Sequence, residues 1–138
     1  MIKLDLETIV RRCGSTITRD IWKDDAKCTE SFNDQFSKLG EDLGCQTQYS
    51  GHPSEFLTID MVWWNNGRMV AAIEHENVPR KNPIEDEWRK LTYIDADYRI
   101  LISYCTAKDE REKWLKRAGE IVARNPRGKA VGYYLVLG

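Results

Sequence analysis

Nothing in this 138-residue chain reads as a membrane span, a disulfide framework or a low-complexity tail. No apolar run approaches the roughly 18 residues that a membrane helix needs, and the first ten residues, MIKLDLETIV, hold no apolar signal core. Prolines number only four and glycines nine, too few for a collagen-like repeat or a linker protein. The four cysteines, Cys13, Cys28, Cys45 and Cys105, show no Cys-x-x-Cys spacing, and the two histidines, His52 and His75, lie near none of them in sequence. A zinc finger and a disulfide scaffold are therefore not expected, and a cysteine nucleophile has no evident histidine partner. The expectation is a soluble, cytoplasmic protein of one domain, 1–138, in which 1–23 form an extension with a short helix.

The charges almost cancel, to a net −1, but they are unevenly placed. Residues 20–78 carry eleven acids against four bases, and residues 108–138 carry eight bases against four acids. A near-neutral chain makes a poor general coat for nucleic acid, whose affinity comes largely from phosphate neutralisation. An acidic centre with a basic end suits a protein that gathers carboxylates at one place and presents cations at another.

Helical periodicity appears in three places. Residues 2–12 form a short amphipathic segment that Gly14 would end. Over 24–43, Cys28, Phe32, Phe36, Leu39 and Leu43 step by three and four, and Gly44 stands where a left-handed C-terminal cap belongs. Residues 107–124 carry Trp114, Leu115, Ala118, Ile121 and Val122 at helical spacing. Strands are expected at Cys45–Tyr49, Glu55–Trp64 and Arg68–Glu76, the last two joined by the turn signal Asn65-Asn66-Gly67. Asn82-Pro83-Ile84-Glu85 has the form of a helix start, with asparagine as cap and glutamate reaching back to it. Tyr98–Cys105 and Val131–Leu137 read as further strands. The order α, β-β-β, α, β, α, β predicts an α/β fold, a three-layer α/β/α sandwich around a mixed sheet.

Three carboxylates are out of place in this pattern. Asp60 interrupts the apolar run Glu55–Trp64, and Glu74 and Glu76 follow Val70, Ala71, Ala72 and Ile73. A buried carboxylate costs several kcal/mol unless it is paired or bound to a metal, and three together repel. Whether they meet depends on the turn. A three-residue loop, Asn65-Asn66-Gly67, sets Asp60 opposite Ala72 and diagonal to Glu74 on one face. A two-residue Asn66-Gly67 turn sets Asp60 opposite Ile73 and sends Glu74 to the other face. The site needs the first of these.

With that element order, an aspartate on the second strand and Glu-x-Glu on the third, residues 24–105 resemble the PD-(D/E)XK, or restriction-endonuclease-like, nuclease superfamily. The resemblance implies a Mg2+- or Mn2+-dependent nuclease acting on nucleic acid, DNA foremost, with a homodimer as one way to address two strands. It makes Asp60 and Glu74 metal ligands, with the backbone carbonyl of His75 as a third. Glu76 takes the position usually held by lysine, as in some restriction enzymes of this fold. Lys90, on the following helix, becomes the candidate amine, although on a regular helical wheel it lies away from the stripe of Ile84, Trp88 and Leu91. Arg80 and Lys81 are either phosphate contacts or solvated loop charges, and of Trp63 and Trp64 one belongs to the core while the other either fills space or stacks on a base. The alternative is a catalytically inactive interaction or nucleic-acid-binding module on the same fold.

Overall fold

The computed structural model describes residues 1–16, 24–49, 59–77, 82–105, 107–125 and 132–138. The Gly51-His52-Pro53-Ser54 turn, the first half of the Glu55–Trp64 strand, Arg80, Lys81, Thr106 and Pro126–Val131 lie outside them. The chain is α/β. Helices α1 (Leu6–Thr16) and α2 (Asp25–Asp42) precede strands β1 (Gln46–Tyr49), β2 (Met61–Asn65) and β3 (Arg68–Glu76). A π-helical turn, Ile84–Trp88, then runs into α3 (Arg89–Thr92), followed by β4 (Tyr98–Ser103), α4 (Lys108–Arg124) and β5 (Gly132–Leu137).

The five strands form one mixed sheet in chain order, antiparallel from β1 to β3 and parallel from β3 to β5. Both parallel steps advance in the same direction across the sheet, so two crossovers of one hand fall on the same face. The core agrees. On one face Phe32, Phe36 and Leu39 of α2 and Ile9 of α1 pack over Met61, Trp63, Ile73, Ile100 and Ile102. On the other, Ile84, Trp88 and Leu91 join Trp114, Ala118 and Ile121 of α4 over Val62, Ala72 and Leu101. The arrangement is consistent with an α/β sandwich, and adjacent Trp63 and Trp64 go to opposite faces, as alternation requires. All four cysteines are free.

Several local expectations need correction. Gly14 does not end the first helix; it lies inside α1 with open space around it. Asp60 does not sit within a strand but just ahead of β2. The Asn82 side chain does accept from the Ile84 N–H (2.9 Å), yet Glu85 does not reach back to it. Glu85 pairs instead with Arg89 and with Arg117 of α4, because two guanidiniums compete better than one backbone donor.

Gly40 shows how closely α2 lies on the sheet. A Cβ there would meet Thr47 Cγ2 and Trp63 Nε1, each at 2.8 Å. Helix propensity alone favours alanine over glycine by up to about 1 kcal/mol, but overpacking costs typically 1–3 kcal/mol. Gly40→Ala should therefore destabilise the protein in urea titrations. Gly14→Ala and Gly119→Ala, where nothing lies within 4 Å of the added carbon, should stabilise it by up to about 1 kcal/mol. A stabilised Gly40→Ala protein would mean that α2 is not seated on Trp63.

Candidate metal centre

The hairpin resolves the register question in an unexpected way. Asn65 pairs with Arg68 and Trp64 with Met69, so the turn is the two-residue Asn66-Gly67 type, with both residues at positive φ (49° and 73°). The three-residue loop is not formed. Left alone, that turn would put Asp60 and Glu74 on opposite faces. One residue later the ladder shifts: Trp63 pairs with Ala71, Val62 with Ala72 and Met61 with Ile73. Val70 is the extra residue of a β-bulge, and Val70 and Ala71 both join the α2-side core. Continued one step past Met61↔Ile73, the shifted register sets Asp60, just ahead of β2, opposite Glu74 and on its face.

The two carboxyls are near enough for the Asp60 charge to oppose ionisation of Glu74. One Asp60 oxygen, Oδ2, accepts from the His75 backbone N–H at 2.8 Å, which fixes the side chain at the sheet end. In an extended strand the N–H and C=O of one residue face the same edge. The His75 carbonyl accordingly faces the edge where Asp60 stands. Its imidazole goes the other way, stacked on Phe32 with ring centroids 4.6 Å apart and 2.8 Å from the Tyr104 hydroxyl. Burial, outweighing the nearby Glu76 carboxylate, pulls that imidazole down to about 4, so the ring is a neutral packing element.

Lys90 completes the group. Its Nζ lies 2.5 Å from Glu74 Oε1 and 3.4 Å from Glu87 Oε2. The approach to Glu74 is off the direction of a hydrogen bond, so buried Oε1 has an ion pair but no directed donor. Lys90 points inward because the segment before it is not a regular α-helix. The Trp88 N–H reaches back to the Pro83 carbonyl (2.9 Å), five residues away, and this wide turn sets back the angular position of everything after it. A wheel drawn at about 100° per residue cannot show that.

Electrostatics follow from burial. Glu74 is 3% exposed. Desolvation and the Asp60 charge push its carboxyl up to about 8, against the opposing pull of Lys90. Asp60 is also raised, by desolvation first, with the His75 N–H working against it. Burial lowers Lys90, but Glu74 and Glu87 outweigh that and leave it above its ordinary value, hence charged. In the metal-free protein at neutral pH burial thus favours the protonated form of Glu74, beside the charged ammonium of Lys90.

Glu76 is buried on the same face as Glu74 but two residues further along, about 7 Å at strand rise. Among the described residues no three histidine, cysteine, aspartate or glutamate side chains form a metal-holding group, so Glu76 does not join Asp60 and Glu74 as a third ligand. What converges is two carboxylates and one backbone carbonyl. Magnesium, which keeps several waters and binds through one or two carboxylates, suits such a set. Glu74 Oε1 is already faced by the Lys90 ammonium, so a metal ion there would compete with Lys90 for the carboxylate. Beside Asp60 a cavity of about 40 Å³, lined by Thr29, Phe32 and Asn33 of α2 together with His75, leaves room for water. Sequence reading did not single out Asn33 for this site; its only signal was a polar position beside Phe32 in the apolar stripe of α2.

Comparisons with protein-family models, with curated proteins and with solved structures found no match for this chain.

A carboxyl raised in the folded state binds its proton more tightly there than in the unfolded chain. The stability it contributes is complete below about pH 4.5, its unfolded value, and is lost as pH rises through about 8. In EDTA, the urea midpoint should fall between pH 5 and pH 8.5. Glu74→Gln should flatten that slope, and Asp60→Asn, which removes the neighbouring charge yet keeps an acceptor for the His75 N–H, should reduce it. An unchanged slope in Glu74→Gln would show that this carboxyl is not the one held protonated.

Proposed function

We propose that the protein is a metal-dependent phosphodiesterase acting on nucleic acid, a nuclease of the PD-(D/E)XK type whose lysine comes from the helix rather than from the strand. The observation that carries this reading is the convergence of Asp60, Glu74 and Lys90 from three separate segments. Two irregularities, the Val70 bulge and the Ile84–Trp88 turn, are needed for it, and such irregularities recur beside functional sites.

Asp60, Glu74 and the His75 carbonyl would hold Mg2+ or Mn2+. The ion supplies Lewis acidity toward a phosphoryl oxygen and a more acidic bound water. The chain's own groups do the rest. The His75 N–H keeps Asp60 in one orientation, so its carboxylate need not reorganise. Lys90, a compact point charge with three donors, faces the same carboxylates and is placed to stabilise charge on a phosphate oxygen there. Its grip by Glu87 keeps the ammonium in place when Glu74 turns to a cation. Glu76, further along the face, is placed to accept a proton rather than to ligate.

One observation favours the second reading, an inactive interaction or nucleic-acid-binding module. In the metal-free site Lys90 already stands against Glu74, so the fold does not require a metal. Metal uptake separates the two.

With Mg2+ or Mn2+ the protein should cut DNA or RNA, and EDTA should stop the cutting. Asp60→Asn and Glu74→Gln should remove most activity and calorimetric Mn2+ uptake while keeping the circular dichroism of the native protein. Lys90→Ala should keep Mn2+ uptake yet lose roughly 100- to 1,000-fold in kcat, the scale of one electrostatic stabiliser. Glu76→Lys should lower activity, since the amine position is already filled. Wild-type protein that takes up no Mn2+ and cuts neither nucleic acid would leave the inactive module as the function of this fold.

A further inference from the structure

A second constellation lies on the outer side of α3. A cleft of about 130 Å³ opens between α3 and the C-terminal end of α4, lined by Arg89, Thr92, Tyr93, Arg117, Arg124 and Asn125. Arg89 and Arg117 are held by Glu85, and Arg117 also by Glu120, so their guanidiniums are fixed in place. Arg124 is exposed and makes no ion pair among the described residues. Tyr93 is 60% exposed at the rim, among the most exposed large hydrophobic side chains of the described residues.

Behind this rim is a buried charge. Arg99 of β4 is 2% exposed, yet its guanidinium meets only neutral acceptors: the Ile94 carbonyl at 2.6 Å and the Tyr133 hydroxyl at 2.7 Å, over the Tyr133 ring. Among the described residues no carboxylate neutralises it. Arg99 does not line the cleft, whose charge is set by Arg89, Arg117 and Arg124. Three guanidiniums, Arg89, Arg117 and Arg124, against the carboxylates of Glu85 and Glu120 leave a net positive cleft beside Tyr93.

We propose that this cleft binds a backbone phosphate of a polynucleotide, with a neighbouring base on Tyr93. This rests on the nucleic-acid reading above and names where the strand is held away from the carboxylates. The volume is well below the 300–1,000 Å³ of a pocket that encloses a whole small ligand, so one phosphate enters and the remainder of the ligand lies outside. Arg89 and Lys90 are consecutive on α3, one facing the cleft and the other Glu74. The cleft and the carboxylates are thus approached from neighbouring positions of one short helix.

The test uses the full chain and a fluorescent oligonucleotide, single-stranded and duplex, in EDTA so that nothing is cut. Arg124→Ala should weaken binding and lower the slope of log affinity against log salt by about 1. Tyr93→Ala should weaken single-strand binding at least about fivefold. Neither should alter Mn2+ uptake, since neither touches Asp60 or Glu74. Inorganic phosphate and a mononucleotide serve as competitors, and both should displace the oligonucleotide only at far higher concentration. If Arg124→Ala leaves both affinity and salt slope unchanged in a protein that still takes up Mn2+ and cuts, the anchor is wrong and the nuclease reading survives. If Arg124→Ala weakens binding while Asp60→Asn changes neither Mn2+ uptake nor cutting, the anchor stands and the nuclease reading fails. Failure of the wild type to bind any oligonucleotide, or tighter binding of the mononucleotide, overturns the proposal.

Discussion

Everything distinctive in this molecule depends on one extra residue, Val70, in the ladder between β2 and β3. The hairpin closes with the tight Asn66-Gly67 turn, whose positive φ values match the twist of the strands it joins. Continued without interruption, that turn would place Ile73 opposite Asp60 and bury Glu74 on the wrong side. The bulge moves the ladder by one, and the apolar pattern agrees with it. Met61 and Ile73 then share the α2-side core with Trp63, while Val62 and Ala72 share the other. The same shift that satisfies the core brings two carboxyls near each other, so packing energy holds a repulsive pair together.

That repulsion has a defined size relative to what opposes it. Lys90 Nζ stands 2.5 Å from Glu74, yet burial and the Asp60 charge still push the Glu74 carboxyl up to about 8. Desolvation and Asp60 together outweigh the ammonium. A site tuned only for stability would place a hydrophobic pair here, since buried ion pairs are often no better than well-packed apolar residues of similar volume. Two carboxylates and a lysine stand here where an apolar pair would serve the fold as well.

The sequence made the strands, the long helices and the α/β class legible, because period-2 and period-3.6 patterns survive small errors at element ends. Phe32, Phe36 and Leu39 turned inward as their spacing implied, and Gly44 caps α2 at φ 81°. Asp60 and Glu74 were recognisable as carboxylates in apolar company. What could not be read was how they meet. Neither turn type alone gives the observed register, since a tight turn followed by a bulge leaves no separate mark in Met69-Val70-Ala71-Ala72, four residues that all suit a strand. Lys90 was misplaced on the wheel for a parallel reason: a π-turn is set by which carbonyl the Trp88 N–H reaches, and Ile-Glu-Asp-Glu-Trp suits an α-turn equally well. Glu85, expected at the cap, was drawn away by Arg117, a residue 32 positions distant.

Both irregularities converge on α3. That helix is only four residues long, far too short to persist alone, since even isolated helices of about 12 residues are marginal. Its position is imposed from beneath and from the side. Ile84 and Leu91 are fully buried, each contributing about 1.5–3 kcal/mol of apolar transfer. Trp88 Nε1 donates to the Ala118 carbonyl of α4 at 3.1 Å, and Glu85 ties the first turn to Arg117. The placement of Lys90 against Glu74 is therefore inherited from the packing of the π-turn and α3 on α4, not from helix propensity. Arg89 and Arg117 in the outer cleft share the same Glu85. In the proposed reading, a phosphate that draws these guanidiniums from Glu85 loosens the tie between α3 and α4 on one side while the buried Trp88, Leu91 and Ile84 hold it on the other. The lysine can then keep its place over the carboxylates while the strand is gripped, because the parts that bind and the parts that anchor are different residues of one short segment.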